Sequence, residues 1–439
     1  MAYQDRYLEY LEAVPGKIRQ CLVTGGRPVI GYSSDYDAVA EWNVDSFNEL
    51  LSEYLKEEPS FAEGETINNM EDFVRIVSYF AIHGLGGEVD ITSGEVIEEL
   101  KKRFKMQYAL GGTCAQCAAA LGAMGMPVLV HVTDRSKEVL ACMDYEGMES
   151  VKGTARVPLK ECVTEESPLI HLIMQYPKGD ILHVRGKEYA IPLSNRLIID
   201  YDPVYKYLPV QSDFLEYVEK HAGEIYSYNI SGFNGMVDPE VLGERLKELK
   251  KHYRSVKEKN PDAVIYFESA HYISTKIRDY VYESLSGAMD IMGMNEEELV
   301  DLTVKKEHPV DKENLESVLS GLDYLLELYP VKGIVMHSKD YSLYYGEQLE
   351  GIDLEMGLTL GNLMSGTRAR IGRYGTWEEC RENLGLALSP AGVRFAEQLE
   401  GMELLHRAVL VPSRYMDKPK YTIGLGDTFV AGMQMCFVK

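Results

Sequence analysis

Positive charge is scarce in this chain of 439 residues, which has 45 Lys and Arg against 69 Asp and Glu and a formal net charge of −24. Such a surface repels phosphate backbones and anionic headgroups, so nonspecific binding of nucleic acid or of a membrane surface is not expected. An acidic protein that handles phosphates must concentrate its few cations locally, together with a metal ion. We therefore expect function to reside in local clusters.

A long uninterrupted apolar segment is also missing. Residues 1–20 are polar, charged and helical in pattern, so no signal peptide is expected. The stretch from Tyr108 to Val132 carries no charged residue, but it contains Gly111, Gly112 and Pro127. It predicts a buried helix followed by a strand rather than a membrane span. We expect a cytoplasmic protein.

Cysteines are few and dispersed. The chain has seven, without the regular spacing of a disulfide framework, which indicates a reducing compartment. Cys114 and Cys117 have the spacing of a redox or metal motif, but no second pair accompanies them, and alanines and glycines surround them. We predict close helix packing at this position. A composition of 45% hydrophobic and 26% charged residues is that of a soluble globular protein.

Strand and helix patterns alternate along the C-terminal half. Strand patterns occur near residues 224–231, 263–268, 333–337 and 407–411, and helical patterns near 239–258, 273–286, 311–328 and 352–371. This rhythm predicts an α/β fold with a largely parallel central sheet and helices on both faces. Between 154 and 200 strand patterns follow one another without helices, and we expect 167–176 and 181–185 to form a hairpin. A small antiparallel sheet attached to an α/β core has the geometry of a lid.

The most informative motif is Gly424-Leu-Gly-Asp-Thr428. Gly424 and Gly426 allow a tight turn with uncovered backbone N–H groups, and Asp427 stands where an apolar segment begins a helix. Bare amides and a positive helix end bind phosphoryl oxygens, while the carboxylate accepts the proton of an attacking hydroxyl. The motif predicts phosphoryl transfer onto an alcohol, although a Gly-x-Gly-Asp turn is common when taken alone.

Polar residues of the N-terminal half are candidates for holding a sugar. Asp35 and Asp37 follow a predicted strand at 28–34 in what we expect to be a loop, where capping of the next helix is an equally good interpretation. Glu88 ends a helix in another predicted loop, and Gly112 allows the backbone to approach a bound sugar. Loops beyond the carboxyl ends of strands line the ligand sites of open α/β sheets.

A second acidic group follows the later strands. Glu268 ends a predicted strand, and Asn295 and Glu298 stand three apart at a predicted helix start. Together with Asp427, these carboxylates are suited to Mg²⁺, which keeps most of its waters and needs only one or two protein carboxylates. Taken singly, the spacing of Asn295 and Glu298 is typical of a helix cap.

Three further residues complete the set of candidates. His337 and Val411 end two strands and line a predicted purine pocket, although a lone histidine at a strand end is more often structural. Arg196 lies where the small sheet returns to the core, within reach of a transferred phosphoryl group. A surface salt bridge is the competing interpretation for this arginine.

These motifs, in this order, resemble the ADP-dependent glucokinase and phosphofructokinase family of the ribokinase-like superfamily. The strings that carry the resemblance are Ser194-Asn-Arg-Leu-Ile198, Ser231-Gly-Phe-Asn-Gly235, Gly293-Met-Asn-Glu-Glu-Glu-Leu299 and Gly424-Leu-Gly-Asp-Thr428. The resemblance implies a large ribokinase-like domain and a smaller, β-rich lid. We expect the large domain at 1–32, 111–153 and 201–439, and the lid at 33–110 and 154–200. The chain departs from the family pattern at Ser33, where asparagine is usual, and at Tyr266, where histidine is usual.

The resemblance also implies a role for each candidate. Asp427 is the general base, the amides of Gly424 and Gly426 form the anion hole, and Arg196 neutralises the phosphate. The residues implied to face the sugar are Asp35, Asp37, Glu88, Gly112 and His171. Those implied to organise Mg²⁺ are Glu268, Glu298 and Asp427, and those assigned to the nucleotide are Asn295, His337 and Val411. We expect a Mg²⁺-dependent sugar kinase that uses ADP as phosphoryl donor and has small-molecule partners.

The acceptor and the donor have alternatives. Glu88 favours an unphosphorylated hexose such as glucose, because a carboxylate sits poorly beside a sugar phosphate. Fructose 6-phosphate stays open, since basic side chains are available to bind its phosphate, namely Lys178, Arg185, Lys187 and Arg196. An ATP-dependent carbohydrate or nucleoside kinase and a catalytically inactive sugar or nucleotide sensor are the remaining alternatives.

Overall fold

The computed structural model describes residues 3–202, 204–272, 274–416 and 418–439. The chain divides into two compact units. The first comprises Met1–Ser34, Gly112–Glu165 and Tyr207–Lys439, and the second comprises Asp35–Gly111 and Glu166–Lys206.

The strands of the described residues are, in chain order, β1 (Arg27–Gly31), β2 (Asp35–Ala40), β3 (Gly87–Asp90), β4 (Met106–Gly111), β5 (Val128–Val130), β6 (Met148–Lys152), β7 (Ala155–Pro158), β8 (Ile170–Tyr176), β9 (Ile181–Val184), β10 (Lys187–Ala190), β11 (Asn195–Tyr201), β12 (Ile225–Ile230), β13 (Val264–Glu268), β14 (Ile291–Asn295), β15 (Gly333–His337), β16 (Tyr341–Gly346) and β17 (Arg407–Pro412).

The α-helices are α1 (Tyr3–Thr24), α2 (Val44–Tyr54), α3 (Met70–His83), α4 (Gly94–Arg103), α5 (Thr113–Ala123), α6 (Lys137–Cys142), α7 (Ser212–Lys220), α8 (Pro239–Lys259), α9 (Thr275–Leu285), α10 (Glu296–Val304), α11 (Leu315–Leu328), α12 (Leu354–Ile371), α13 (Trp377–Asn383), α14 (Pro390–Leu399) and α15 (Leu425–Met435). In the described chain, none of them combines the length and hydropathy needed to cross a membrane.

The first unit is built on one large sheet in the order β17-β16-β15-β14-β13-β12-β1-β5-β6-β7. The strands from β15 to β6 run parallel, while β16 and β17 at one edge and β7 at the other are antiparallel to their neighbours. The predicted α/β class with a largely parallel sheet is confirmed. The sequence patterns missed β14 and β16 as strands, and β17 is antiparallel where a parallel strand was expected.

The parallel strands bring polar side chains to one edge of this sheet. β13 and β15 are buried along their whole length, as expected for apolar strands in the middle of a parallel sheet. Their last residues are Glu268 and His337, and Asn295 ends β14 between them, in register with His337. The carboxyl ends of the adjacent strands β13, β14 and β15 therefore carry polar side chains next to one another.

Glycines bring α12 and α15 into close contact. A Cβ atom at Gly432 would collide with the backbone of Gly361, and one at Gly361 would overlap the ring of Phe429. Residues with side chains at these positions would push the two helices apart. The close approach carries the C-terminal part of α12 to the beginning of α15.

The second unit contains a five-stranded sheet in the order β3-β11-β8-β2-β4 and a separate β9-β10 hairpin. One face of the sheet packs into the core through alternate residues that include Ala38, Leu172 and Ile199. The residues between them form a polar row across three neighbouring strands, because Asp37 pairs with His171 and His171 with Asp200. One face of this sheet is thus apolar, and the other carries acidic groups.

Several local predictions for the second unit are wrong. Asp35 and Asp37 lie in β2 and Glu88 lies in β3, so none of them is in a loop. The predicted hairpin between 167–176 and 181–185 does not form, because β8 pairs with β2 and β11 while β9 pairs with β10. Arg185 and Gly186 both adopt positive φ, which is the geometry of a tight two-residue hairpin turn, so the chain reverses there.

The units also divide the chain differently from the expected boundaries in two longer segments, and by one or two residues at 33–34 and at 111. Residues 154–165 belong to the first unit, since β7 pairs with β6 in the large sheet. Residues 201–206 belong to the second unit, where the Lys206 ammonium forms an ion pair of 2.8 Å with Asp90.

Candidate active site

In the first unit, Asp427 lies in the first turn of α15. Gly424 caps this helix in the left-handed conformation with φ 64°, which favours glycine. Burial raises the pKa of Asp427 to about 7, with a further contribution from the Glu268 carboxylate, while the Arg368 guanidinium acts in the opposite direction. The motif therefore forms the predicted turn, with a carboxylate that can hold a proton near neutral pH.

Glu268, at the end of β13, is 4% exposed and held by two side chains. The His337 Nε2 lies 3.0 Å from its Oε1, and the Tyr266 hydroxyl donates to its Oε2 at 3.1 Å. Burial acts to lower the pKa of His337, but the hydrogen bond and charge of Glu268 outweigh it and raise that pKa. Tyr266, which departs from the family pattern, thus fixes the carboxylate from one side.

Glu298 and Asn295 form a capping box at the start of α10. The Asn295 side chain accepts from the N–H groups of Glu297 and Glu298, and the Glu298 carboxylate accepts from the Asn295 N–H at 3.0 Å. The helix-cap interpretation is therefore correct. Burial, with the charge of Glu268 next, raises the pKa of Glu298 to about 7, so this cap is also one of several buried carboxylates close to Asp427.

The donor set of Glu268, Glu298 and Asp427 fits Mg²⁺. All three offer hard oxygen atoms, and each of the two raised pKa values reflects, after burial, repulsion by Glu268 that a divalent cation would relieve. Within the described residues, the carboxylate oxygens of these three side chains do not form a group whose members all lie within 4.8 Å of one another. That spacing suits an ion that binds largely through its own waters.

Gly112 belongs to the first unit, where it caps α5 with φ 83°. The side chain of Thr113, the next residue, hydrogen-bonds Asp427 and acts to lower its pKa. Thr113, with Gly112 before it, therefore lies beside the C-terminal motif. In the same helix, Cys114 and Cys117 are fully buried free thiols, in agreement with the packing interpretation.

In the second unit, His171 is the centre of an acidic cluster. Its Nδ1 lies 2.8 Å from Asp35 Oδ2 and 3.5 Å from Asp200 Oδ1, and its Nε2 lies 3.8 Å from Asp202 Oδ2. Burial acts to lower the pKa of His171, but these carboxylates outweigh it and raise that pKa well above its ordinary value. Glu88 hydrogen-bonds Asp200, whose own pKa burial raises to about 6.

Three polar atoms of this cluster make no hydrogen bond within the described part of the chain, although two of them lie within ion-pair distance of a neighbour in the cluster. Asp35 Oδ1, Asp200 Oδ1 and His171 Nε2 are buried without a hydrogen bond to any described residue. Buried polar atoms are nearly always bonded in folded proteins, so a group of orphans indicates a site for a polar ligand. Two acceptors and one donor on one sheet face are suited to the hydroxyl groups of a small polyol.

A model of the ADP-specific Phosphofructokinase/Glucokinase conserved region matches residues 26–435 of the chain. The chain belongs to this family. An ADP-dependent glucose/glucosamine kinase of Pyrococcus abyssi is 24% identical over 460 residues, which cover 97% of this chain and 96% of that protein. An ADP-specific phosphofructokinase of the same organism is 23% identical over 445 residues, with coverages of 93% and 96%.

Solved structures of the family share the fold. A hypothetical ADP-dependent phosphofructokinase from Pyrococcus horikoshii superposes with a TM-score of 0.77 at 20% identity, over 94% of this chain and 98% of that chain. A complex of an ADP-dependent kinase with fructose 6-phosphate and ADPβS superposes with a TM-score of 0.78 at 18% identity, over 100% and 99%. The protein is an ADP-dependent sugar kinase of the glucokinase/phosphofructokinase type.

In this kinase the residues assigned to the nucleotide are engaged by the protein. His337 is bonded to Glu268, and the Asn295 side chain caps α10. Val411 is 1% exposed, and its carbonyl accepts from the Asn362 side chain at 3.1 Å. Their assignment to the nucleotide stays a prediction.

Arg196 lies on β11, exposed and on the same side of the strand as Asp200, four residues further on. Its assignment to the phosphate also stays a prediction, as do the roles of the other candidates.

The sequence patterns missed four polar residues around these clusters. Asp200 could have been found from the sequence, because its position alternates with the core residues Leu197 and Ile199 on β11 and places it on the opposite face of the strand. Thr113 follows the Gly111-Gly112 pair and is the expected kind of residue at a helix start. Gln116 and Arg368 lie inside helices, and no local pattern indicates what they contact.

Proposed function

We propose that this enzyme transfers the terminal phosphoryl group of ADP to a hydroxyl group of an unphosphorylated hexose, with glucose as the favoured acceptor. The observation that carries the choice of acceptor is the acidic face of the second unit's sheet, where Asp35 and Asp200 flank His171 and Glu88 hydrogen-bonds Asp200. Carboxylate oxygens accept hydrogen bonds from sugar hydroxyls, whereas they repel the dianionic phosphate of fructose 6-phosphate.

The same face also suits a hexosamine. An ammonium group offers three donors to the carboxylates and adds a favourable charge. The relative from Pyrococcus abyssi that is named a glucose/glucosamine kinase supports including this sugar.

Fructose 6-phosphate is the second candidate. Relatives that carry the phosphofructokinase name support it, and so do exposed cations of the second unit. Of these, Arg185 and Lys187 belong to the β9-β10 hairpin and its turn, and Lys178 precedes it. These three lie outside the strands that carry the acidic face, whereas the fourth cation, Arg196, lies on β11 on the same side of the strand as Asp200.

The mechanism we propose takes the general base and the anion hole from the first unit and Arg196 from the second. Asp427 accepts the proton of the attacking hydroxyl, and a pKa near 7 suits a general base at neutral pH. The amides at Gly424 and Gly426, at the positive end of α15, hold the oxygens of the transferred phosphoryl group. Arg196 neutralises charge on this group during in-line transfer.

Mg²⁺ would be held by Glu268, Glu298 and Asp427, largely through water. When bound, the ion neutralises phosphate charge and orients the donor. Glu268 is prepared for this role, because Tyr266 and His337 fix its two oxygens.

The test is a comparison of initial rates with glucose, glucosamine and fructose 6-phosphate as acceptors, each with ADP and with ATP, in the presence of Mg²⁺. We expect kcat/KM for glucose or glucosamine to exceed that for fructose 6-phosphate at least tenfold, and ADP to exceed ATP. A preference for fructose 6-phosphate would identify it as the acceptor in place of glucose, and faster turnover with ATP would reject ADP as the donor.

The inactive-sensor alternative predicts a different outcome of the same assay. Wild type and Asp427→Asn would then phosphorylate every sugar equally poorly, although calorimetry would still detect binding of sugar or nucleotide.

A further inference from the structure

Arg368 is a buried cation at the beginning of α15 in the first unit. It lies near the end of α12 and is 3% exposed. Its guanidinium carbon lies over the ring of Tyr374, 4.2 Å from the ring centroid, and 5.3 Å from the ring centroid of Tyr421. The aromatic rings hold the guanidinium plane but bring no negative charge to it.

The hydrogen-bond partners of Arg368 are neutral. One terminal nitrogen donates to Gln116 Oε1 at 2.6 Å and the other to Thr428 Oγ1 at 3.4 Å, while Nε has no partner among the described residues.

Three other buried arginines, Arg27, Arg75 and Arg278, are paired with carboxylates. Arg414 has no carboxylate partner among the described residues, but it donates to the Leu386 carbonyl and lies over the Tyr7 ring. A buried charge is strongly unfavourable unless an anion compensates it.

The guanidinium is aimed at the Gly424 turn. A Cβ atom at Gly424 would lie 3.0 Å from the nearer terminal nitrogen of Arg368 and would collide with the Gln116 side chain. The backbone at Gly424 is therefore in direct contact with Arg368 and Gln116. Arg368 also lowers the pKa of Asp427 more than any other charged residue does. A fixed cation, bare amides and the positive end of α15 therefore concentrate positive potential at one turn.

We propose that Arg368 binds the transferred phosphoryl group, as a cation resident in the unit that carries the general base. This inference rests on the proposed phosphoryl transfer from ADP. The neutral partners Gln116, Thr428 and Tyr374 hold the guanidinium in place and leave its charge for the ligand. Phosphate neutralisation then does not depend on Arg196 alone.

The transfer step leaves Arg368 chemically unchanged. The bond between the transferred phosphorus and the bridging oxygen breaks, and AMP leaves with that oxygen. A new bond forms between the phosphorus and the sugar oxygen, whose proton passes to Asp427. Arg368 keeps all its protons and holds the negative oxygens throughout.

The experiment uses Arg368→Lys and Gln116→Glu, with Arg27→Lys as the matched control. Arg27 is also a buried arginine of the first unit, but it begins β1 and is paired with Glu149 at 3.1 Å. Gln116→Glu keeps the shape of the side chain and gives Arg368 a carboxylate partner, which removes its charge from the turn without removing the arginine.

Calorimetric titrations with ADP and with AMP, in the full-length enzyme without sugar, measure the binding. We expect both site variants to weaken ADP binding about tenfold and AMP binding by less than threefold, because AMP lacks the group that Arg368 contacts. In turnover with ADP we expect kcat to fall about a hundredfold, with little change in the KM of the sugar. Arg27→Lys should change none of these values.

A purely structural Arg368 gives a different pattern. Gln116→Glu would then add an ion pair, raise the melting temperature and leave the ADP to AMP affinity ratio at its wild-type value, which would overturn the inference. This variant decides the question even if Arg368→Lys does not fold. If wild type transfers phosphate to no sugar but the variants still lose the preference for ADP over AMP, the proposed function fails and the anion site remains.

Discussion

Replacing Asp427 with asparagine separates catalysis from stability. The substitution keeps the size of the side chain but removes the proton acceptor, and general-base catalysis contributes about 10²–10⁴ in rate. We expect Asp427→Asn to lower kcat by this factor with little change in the KM of the sugar, because no sugar-binding role is assigned to Asp427 and the second unit carries the acidic cluster.

The same substitution should stabilise the protein at alkaline pH. A pKa that rises from 3.8 in the unfolded chain to about 7 in the folded protein corresponds to about 4 kcal/mol against the charged form. Since the folded-state pKa is raised, the free energy of unfolding falls as the pH rises from about 4 to about 7. The variant does not titrate there, so it escapes this loss.

Thermal unfolding without metal or nucleotide, in the presence of a chelator, measures the effect. The full 4 kcal/mol is an upper limit, because the amide keeps part of the desolvation penalty; we expect the variant to melt about 2–4 °C above wild type at pH 8. At pH 5 the two proteins should melt nearly together. If the difference in melting temperature between variant and wild type does not increase from pH 5 to pH 8, the environment assigned to Asp427 is refuted. A kcat of the variant within threefold of wild type would refute its role as general base.

Three further substitutions test the remaining assignments. Glu88→Gln should raise the KM of glucose about tenfold with little effect on kcat, since it weakens one half-buried acceptor; an unchanged KM in initial-rate assays would remove Glu88 from the sugar site. Arg196→Gln should lower kcat about 10- to 100-fold at saturating ADP and sugar, and an unchanged kcat would favour the surface interpretation. Glu298→Gln should raise the Mg²⁺ concentration that gives half-maximal rate at least tenfold. The control Glu297→Gln, which changes the exposed neighbouring residue, should leave that concentration unchanged. Equal effects of the two substitutions would argue against a metal role for Glu298.

Much of the chemistry was accessible in the sequence because it resides in short motifs. Gly424 and Gly426 favour a turn with open backbone, and the apolar residues after Asp427 favour a helix; the structure has both the turn and α15. Glu268 and His337 could be placed at strand ends because the apolar runs before them end there. The periodicity of the C-terminal half likewise predicted the parallel sheet.

Local patterns failed where strand pairing depends on distant partners. Asp35 and Asp37 look like loop residues, because they directly follow the apolar run 28–34, which predicts a strand that ends before them. They lie in β2 because β8 and β4 provide its hydrogen-bond partners from far along the chain. The hairpin was misplaced for a related reason, because β8 pairs with the distant strands β2 and β11, while the turn at Arg185 and Gly186 joins β9 to β10.

The sequence by itself determined which functional groups this kinase has and the kind of local structure that carries the reactive turn. Only the tertiary structure decided what surrounds them. Arg368 on α12 and Gln116 on α5 are 252 positions apart and meet because both helices pack against α15. His171 meets Asp200 because β8 and β11 pair in one register. Periodicity reports which face of an element is buried, whereas the partner of a buried charge depends on packing between elements, which no local pattern encodes.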